Sequence, residues 1–182
     1  LFTYDSFKPI LFTPYFHISE FSFYEERPLE RFRFGRISRC DADKYNNKQF
    51  WIYETMTAPF LKEGFIVGWD QKIENKLGKP PAFVHTFAPH VLEQKKFYEL
   101  CDAIIMTTDT FENLPRVGFE AMSSGSILIV DKRGGWLLQV DDGETGWLCR
   151  DEREFVYKAS RCAFEEKERK NMAVRAREKL EK

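Results

Sequence analysis

Short apolar segments alternate with segments of helical spacing along most of the chain, from about residue 31 onward. Apolar runs of this length, set between turn residues, are typical of buried strands. The predicted strands are 32–38, 65–68, 82–88, 103–108, 126–131 and 146–149. The predicted helices are 47–63, 70–78, 91–101, 115–124, a short helix after Gly134 and Gly135, and one or two helices within 151–181.

This alternation predicts an α/β, Rossmann-like fold, in which a parallel sheet of about six strands has helices on both faces and right-handed crossovers. Such sheets bind ligands at the carboxyl ends of their strands, so the loops there form the rim of the predicted site. At 182 residues the chain is long enough for one domain with its own core. We expect residues 31–182 to form that domain, and residues 1–30 to be an extended, aromatic-rich linker that packs on another surface, such as a missing domain.

Charge and composition exclude several classes of partner. The chain has 28 basic and 29 acidic residues, so it offers no strong field for nucleic acid. The four cysteines are far apart in sequence, which argues against a structural metal and against a disulfide framework. No apolar stretch reaches the roughly 20 residues of a membrane span, so we expect a cytoplasmic protein. Any contact with a membrane would be peripheral and would come through a part of the protein missing from this sequence.

The rim loop after the fourth predicted strand contains the run FENLPRVGFEAMSSG. Pro115 has a preset backbone angle and no N–H, so it suits the first turn of a helix. The backbone amides of Arg116 and Val117 would then point into the rim, where a phosphate could bind to them. The first turn of this helix is therefore a predicted anion site.

Two glutamates, Glu112 and Glu120, stand on either side of this predicted anion site. A carboxylate accepts hydrogen bonds from pairs of hydroxyl groups, as on a sugar or a ribose. Together they would suit a ligand with a sugar at each end of a phosphate group. The alternative is that Glu112 only complements the helix dipole and that Glu120 is an ordinary exposed glutamate.

The same run resembles the E-x7-E signature of the group 1 family of retaining glycosyltransferases, which have the GT-B fold, and EAM-x-x-G is its usual continuation. FGRISRCDADK, DKRGGW and GETGWL resemble three further motifs of this family and occur in the family's order. The resemblance extends from about Arg31 to Ala163. It implies that the chain is the C-terminal, donor-binding half of such an enzyme.

In this family the C-terminal domain holds a nucleotide-diphospho-sugar. The resemblance implies that Gly35 contacts the donor and that Arg36 and Lys44 neutralise its diphosphate, and Arg39 competes with Lys44 for this role. It implies that Glu120 binds the ribose hydroxyls. The loop and helix start that hold the donor are Glu112, Asn113, Leu114, Pro115, Arg116 and Val117.

Glu112 is the residue that the resemblance assigns to the catalytic centre, where it positions the sugar. The family's reaction is drawn as a same-face displacement, in which the leaving phosphate helps to deprotonate the acceptor and no side chain is an obligatory nucleophile. No metal or other cofactor is expected, because the chain lacks a D-x-D clamp for a divalent ion. His90 lies at the rim where this family places the base. Pro115 departs from the family, which usually has a glycine at that position.

The family's acceptor site lies mostly on an N-terminal Rossmann-like domain, and little before Phe32 could build one. We therefore expect the isolated chain to transfer no sugar to its acceptor, a glycan or other molecule, without that domain. The alternative hypothesis is a non-catalytic module that keeps the nucleotide-sugar fold for regulation or assembly. A dinucleotide-dependent oxidoreductase is excluded, because no G-x-G-x-x-G run follows the first strand.

Overall fold

The computed structural model describes residues 16–28 and 30–182. Within them lie six strands: β1 (Arg31–Ile37), β2 (Leu61–Val67), β3 (Val84–Phe87), β4 (Ala103–Met106), β5 (Ile127–Asp131) and β6 (Gly146–Cys149). The α-helices are α1 (Gln49–Thr55), α2 (Gln71–Leu77), α3 (Gln94–Leu100), α4 (Arg116–Ser124), α5 (Trp136–Gln139), α6 (Glu152–Phe164) and α7 (Glu166–Leu180). Residues 18–20 and 42–44 form short 3₁₀ helices.

The strands form one parallel sheet in the order β3-β2-β1-β4-β5-β6. This order confirms the predicted Rossmann-like α/β fold. The chain runs outward from β1 in one direction through β2 and β3, and in the other direction through β4, β5 and β6. Loops leaving β1 and β4 therefore diverge at the centre of the sheet, which is where open α/β sheets form their ligand crevice.

Successive residues of each strand face opposite layers, as the pleat of a strand requires. Phe34 and Ile105 belong to a core packed under α1 and α6, whereas Ile104 and Met106 belong to a second core under α3 and α4. Because both faces of the sheet are covered, the central strands are apolar throughout. β4 and β5 are buried at every position.

The predicted helix 47–63 is wrong in its second half. The helix α1 ends at Thr55, and the next residue, Met56, is extended with a ψ of 144°. Pro59 lacks an N–H, and from Leu61 the chain pairs with β1 as a parallel strand. The helical spacing of Phe60 and Leu61 thus came from a turn and the start of β2 rather than from one helix face.

The described part of the predicted linker, residues 16–28, packs on this same domain. Phe21 is buried against Tyr98 of α3, and Arg177 of α7 donates a hydrogen bond to the carbonyl of Phe21. The rest of the predicted linker, 1–15 and residue 29, lies outside the described residues, and the division of the chain at residue 30 stays a prediction. In the described part of the chain no helix combines the length and apolar character needed to cross a membrane.

Candidate functional site

A cavity of about 680 Å³ opens at the carboxyl ends of β1, β2 and β3. Its walls are the residues after β1, the loop of residues 89–93 after β3, and the first turns of α3 and α4. Apolar side chains, including Ile37 and Val67, contribute to its lining, and Arg39, Arg116 and Glu120 supply charges. An apolar cavity with a few converging polar groups at this edge of the sheet has the form of a small-molecule site.

Glu120 is the buried acidic group of this cavity. The residue is only 3% exposed, yet it lines the cavity. Its Oε2 accepts hydrogen bonds from Tyr98 Oη at 2.9 Å and from Gln94 Nε2 at 2.6 Å. Its Oε1 has a looser neighbour, Nε of Arg116 at 3.7 Å. One oxygen is therefore held in place, and the other has room for a ligand donor.

Burial raises the pKa of Glu120, and the hydrogen bonds from Tyr98 and Gln94 together with the charge of Arg116 oppose that rise. Burial and the neighbouring carboxylate of Glu120 raise the pKa of Tyr98 well above its usual value. The phenol of Tyr98 therefore keeps its proton and remains a donor to Glu120. The sequence had indicated Glu120 but not its two partners. Gln94 and Tyr98 are four residues apart on α3, a spacing that places them on one face of a helix.

The amino end of α4 faces the same cavity. Pro115 is the N-cap residue, just outside the helix, with φ of −70° and ψ of 124°, and no side chain caps the helix. Gly118 N donates to the Pro115 carbonyl, whereas the amides of Arg116 and Val117 belong to the first turn, which has no intrahelical acceptor. Both residues line the cavity. The residues of the predicted anion site thus line the cavity, and anion binding there stays a prediction.

An ion pair joins the two loops that diverge at the centre of the sheet. Nζ of Lys44, in the loop after β1, lies 2.7 Å from Oε1 of Glu112, in the loop after β4. The structure therefore brings these two predicted site residues together. It places them in contact with each other and outside the lining of the cavity.

Two glycines position the Glu112 loop. Gly135 N donates a hydrogen bond of 2.6 Å to the carbonyl of Glu112. A Cβ atom on Gly135 would overlap the carbonyl oxygen of Asn113, and one on Gly134 would crowd the carbonyl of Glu112. The DKRGGW motif therefore lets one backbone lie directly against another, which is a common use of glycine.

Arg36 does not lie open to the cleft, contrary to the expectation from the sequence. Its side chain is 0% exposed. The guanidinium donates to the Thr107 carbonyl at 3.0 Å, to Oε1 of Gln49 and to the carbonyl of Lys44, and it lies 3.9 Å from the ring centre of Tyr45. These contacts tie the loop after β1 to the end of β4, and the role of Arg36 at a diphosphate stays a prediction.

Gly35 is also placed differently from the expectation that it contacts the donor. It is buried within β1, and a Cβ atom there would lie 2.6 Å from the ring of Phe97. Its small size allows α3 to pack closely on the sheet. Asn113, Leu114 and Pro115 lie in the loop before α4 and outside the lining of the cavity.

Two residues of the cavity were weakly indicated by the sequence. Arg39, the alternative to Lys44, is exposed and lines the cavity. His90 also lines it, with a φ of 65°, and it is the only non-glycine residue with positive φ in the described ranges. Such backbone strain clusters at ligand sites. The sequence placed His90 at the rim, in the loop after β3, at the strand end where such sheets bind ligands.

A second cavity, of about 310 Å³, lies at the carboxyl ends of β4, β5 and β6. Its buried carboxylate, Asp131, accepts hydrogen bonds from Thr107 Oγ1 and from the amide of Thr108. Two of its basic residues are paired with acids, Lys132 with Asp142 and Arg150 with Glu154. These charges are largely neutralised within the protein, so the first cavity is the better candidate site.

No cluster of three or more histidine, cysteine or acidic residues among residues 16–28 and 30–182 is arranged to hold a metal ion. The expectation that the reaction needs no metal or cofactor stays a prediction. The four cysteines are free thiols, of which Cys40 alone is half-buried and the others are buried.

The fold and the cavity together define a Rossmann-like domain with a candidate ligand site at the carboxyl edge of its sheet. The sequence profile of the group 1 glycosyl transferases matches residues 70–179. The chain therefore belongs to the group 1 glycosyl transferases, as the motifs had indicated. No curated protein sequence matches the chain significantly.

Solved structures show the same fold at low sequence identity. HepE from Anabaena, in complex with UDP and glucose, is 20% identical with a TM-score of 0.70, over 82% of this chain and 43% of that chain. Sucrose-phosphate synthase from Thermosynechococcus elongatus is 17% identical with a TM-score of 0.76, over 91% of this chain and 46% of that chain. A variant of S. aureus TarM, in complex with fondaparinux, α-GlcNAc-glycerol and UDP, is 17% identical with a TM-score of 0.69, over 87% and 34%. The chain thus spans less than half the length of each.

Proposed function

We propose that the cavity beside α4 binds the nucleotide-diphospho-sugar donor of a retaining glycosyltransferase, and that this chain supplies the donor-binding half. The observation that best supports the proposal is the burial of Glu120 and its position at the cavity. It is a buried carboxylate that lines a cavity beside the uncapped amino end of a helix. Burying this charge costs free energy, and a ligand that donates hydrogen bonds to the carboxylate would offset part of that cost.

The ribose of the donor would bind to Glu120. Tyr98 and Gln94 occupy Oε2, and the nearest cation lies 3.7 Å from Oε1, beyond ordinary hydrogen-bond distance. The free oxygen can therefore accept a hydrogen bond from a ribose hydroxyl. Because the carboxylate is already fixed by its two donors, little conformational entropy would be lost on binding.

The diphosphate would lie at the amino end of α4. The amides of Arg116 and Val117 carry the partial positive charge of the helix end, which favours an anion by about 0.3–1 kcal/mol. As the bond between sugar and phosphate breaks, negative charge gathers on the leaving diphosphate. Donors and cations that already point at it would stabilise the transition state more than the bound substrate.

The sugar would lie against the loop from Glu112 to Pro115, which precedes α4. In this proposal Glu112 positions the sugar, and the leaving phosphate helps to deprotonate the acceptor on the same face. The ion pair with Lys44 orients the Glu112 carboxylate and brings a positive charge next to it. No metal takes part in the proposed reaction.

The acceptor would bind largely outside this chain. HepE was solved with UDP and glucose, and it is more than twice as long as the part that this chain matches. We propose that a second Rossmann-like domain completes the cleft, that a glycan or another molecule is the acceptor, and that the chain alone transfers no sugar. The protein would work in the cytoplasm.

The test is calorimetry of the full chain with UDP, GDP and ADP and their glucose conjugates. We expect at least one of these ligands to bind, and we expect the Glu120→Gln variant to bind it about 10-fold more weakly, because a hydrogen bond to a charged group contributes about 1.5–3 kcal/mol. The wild-type chain should also prefer the ribonucleotide over its 2′-deoxy form, and Glu120→Gln should reduce that preference. Glu178→Gln, an exposed glutamate of α7, is the matched control and should behave as wild type.

A non-catalytic module with the same fold is the second candidate function. Two observations favour it: Arg36 is turned into the protein, and Lys44 is already paired with Glu112. A module that had lost donor binding would show no heat of binding with any nucleotide or nucleotide sugar in the panel. That result would reject the donor site and leave the module as the better interpretation.

A further inference from the structure

We propose that Arg39 and Arg116 neutralise the donor's diphosphate in this protein, in place of Arg36 and Lys44. The inference rests on the proposed function, because it names the side chains that would hold the charged part of the donor. The supporting observation is that Arg36 and Lys44 already bind other groups of the protein, whereas Arg39 and Arg116 remain available.

The guanidinium of Arg36 is engaged at both of its terminal nitrogens. Its guanidinium donates hydrogen bonds to Thr107, Gln49 and Lys44 and stacks on Tyr45. To reach a phosphate it would have to give up these contacts and leave the Lys44 carbonyl without the donor that it has in this structure. Losing a hydrogen bond to a buried group costs more than a typical surface contact returns. The structure therefore favours keeping Arg36 inside.

Lys44 is neutralised by Glu112. The pair is close, at 2.7 Å, and both side chains are largely shielded from water, with 17% and 14% exposed. A phosphate would have to compete with a carboxylate already in contact with the ammonium group. Its charge is therefore directed at the Glu112 loop rather than at the cavity beside α4.

Arg39 and Arg116, in contrast, are exposed and have no close partner for their guanidinium groups among the described residues. The Arg39 side chain is exposed and forms no hydrogen bond or ion pair with any described residue. The Arg116 side chain is 75% exposed, and its one ion pair with a described residue is the loose contact with Glu120 at 3.7 Å. Both residues line the cavity. Each guanidinium therefore has its planar fork of N–H donors available, and that fork matches the oxygens of a phosphate.

The two arginines come from separate elements of the cavity wall. Arg39 follows β1, and Arg116 is the first residue of α4, where the free amides also point. A diphosphate bound at the amino end of α4 would thus meet the amides and the Arg116 side chain together. Because Arg116 also neighbours the free oxygen of Glu120, drawing Arg116 toward a phosphate would leave that oxygen open to the ribose.

The experiment compares a nucleoside diphosphate with its nucleoside. The probe is whichever of UDP, GDP and ADP the wild-type chain binds most tightly, and its nucleoside is the form without phosphate. We expect Arg39→Ala and Arg116→Ala each to weaken diphosphate binding about 10-fold, because each removes a charge-assisted contact. Nucleoside binding should not change. Arg39→Lys and Arg116→Lys, which keep the charge without the fork, should fall between wild type and alanine.

Two variants serve as references. Arg153→Ala removes an exposed arginine of α6 whose side chain has no partner among the described residues, and it should bind the diphosphate as wild type does. Lys44→Ala tests the competing assignment, and it should lose less diphosphate affinity than Arg39→Ala or Arg116→Ala. Since Arg39 and Arg116 are exposed, their alanine variants should keep the wild-type urea midpoint.

The outcomes separate this inference from the proposed function. If the wild-type chain binds a nucleoside diphosphate and both arginine variants bind it equally well, the assignment of the cations is wrong and the donor site stands. If Lys44→Ala alone loses diphosphate binding, the cation expected from the sequence is the right one. If the wild-type chain binds no nucleoside diphosphate at all, the donor site itself is rejected, and this inference with it.

Discussion

Glu120 shows how neighbouring residues decide what one carboxylate can do. The sequence placed it one and a half turns inside a helix at the rim, where exposure would have made it an ordinary surface group. In the structure it is 3% exposed and held by Tyr98 and Gln94. Burial makes its charged form costly, and the two donors offset part of that cost. Burial of the charged Glu120 therefore lowers the stability of the fold, whereas the proposed ligand binding uses that same carboxylate.

Replacing Glu120 with glutamine should change how stability depends on pH. Burial raises the pKa of Glu120, so the folded chain holds that proton more tightly than the unfolded chain does. The resulting stabilisation is complete below the unfolded pKa of about 4.3 and is lost as pH rises through the raised pKa of the folded state. Glu120→Gln cannot ionise, so its free energy of unfolding should rise relative to wild type as pH increases from about 4.3 through the raised pKa of the folded state.

Urea titrations of both proteins at several pH values measure this difference, and all other titrating groups cancel in the comparison. Glu178→Gln, at an exposed position, should show a constant offset from wild type. If the difference in free energy of unfolding between Glu120→Gln and wild type is also independent of pH, burial does not perturb this carboxylate.

The elements of the site depend on close backbone contacts between loops. Gly135 has helical backbone angles, φ of −66° and ψ of −16°, that any residue could adopt. Its small size is required because the carbonyl of Asn113 occupies the space of a side chain. Gly68 meets the same constraint at the end of β2, where a Cβ atom would overlap the carbonyl oxygen of Ser38. The loops around the cleft are thus fixed by contacts between distant segments.

Gly135→Ala should lower the free energy of unfolding by about 1–3 kcal/mol, the usual range for inserting a methyl group where there is no space. It should also displace the Glu112 loop and weaken binding of a nucleotide sugar more than binding of the nucleoside diphosphate. The control is Gly143→Ala, where a Cβ atom meets nothing within 4 Å and only the φ of 84° is unfavourable. Gly143→Ala should also lower stability. The ratio of its affinity for the nucleotide sugar to its affinity for the nucleoside diphosphate should stay as in wild type. Equal effects of both variants on that ratio would contradict this role of Gly135.

At the scale of the whole molecule, residues 16–28 tie together helices that surround the site. The guanidinium of Arg27 donates to carbonyls at the carboxyl ends of two helices, Tyr98 and Glu99 in α3, and Ser124 and Gly125 at the end of α4. A cation is favourable there because helix carboxyl ends carry partial negative charge. Since Tyr98 also donates to Glu120, the segment supports the helix that positions the candidate ribose-binding carboxylate.

Arg27→Ala should lower the free energy of unfolding by about 2–3 kcal/mol, because several carbonyl groups lose a charged donor. The matched control is Arg31→Ala, whose exposed side chain is 3.9 Å from Glu63 and should contribute less than about 1 kcal/mol. Urea unfolding of the two variants measures both effects. If Arg27→Ala is no less stable than Arg31→Ala, the segment is not anchored in the way that the structure shows.

The sequence by itself determined the architecture, the family and the helix at the rim. Six strands, the start of α4 within one residue, and the candidates Arg116, Val117 and Glu120 at a cavity all followed from local patterns of apolar residues, proline and glycine. Such patterns report what each segment does with its immediate neighbours, and in a parallel sheet they also fix which strand ends share an edge.

Only the tertiary structure decided which charged groups face the cavity. Arg36 is held by Gln49, 13 residues away, and by Thr107, 71 residues away. Lys44 is paired with Glu112 across 68 residues. The direction of a long, flexible side chain is set by these distant partners, whose positions depend on how the loops of the whole sheet meet. For that reason motif and spacing brought Arg36, Lys44 and Arg39 to the same region, and the packed fold left Arg39 free.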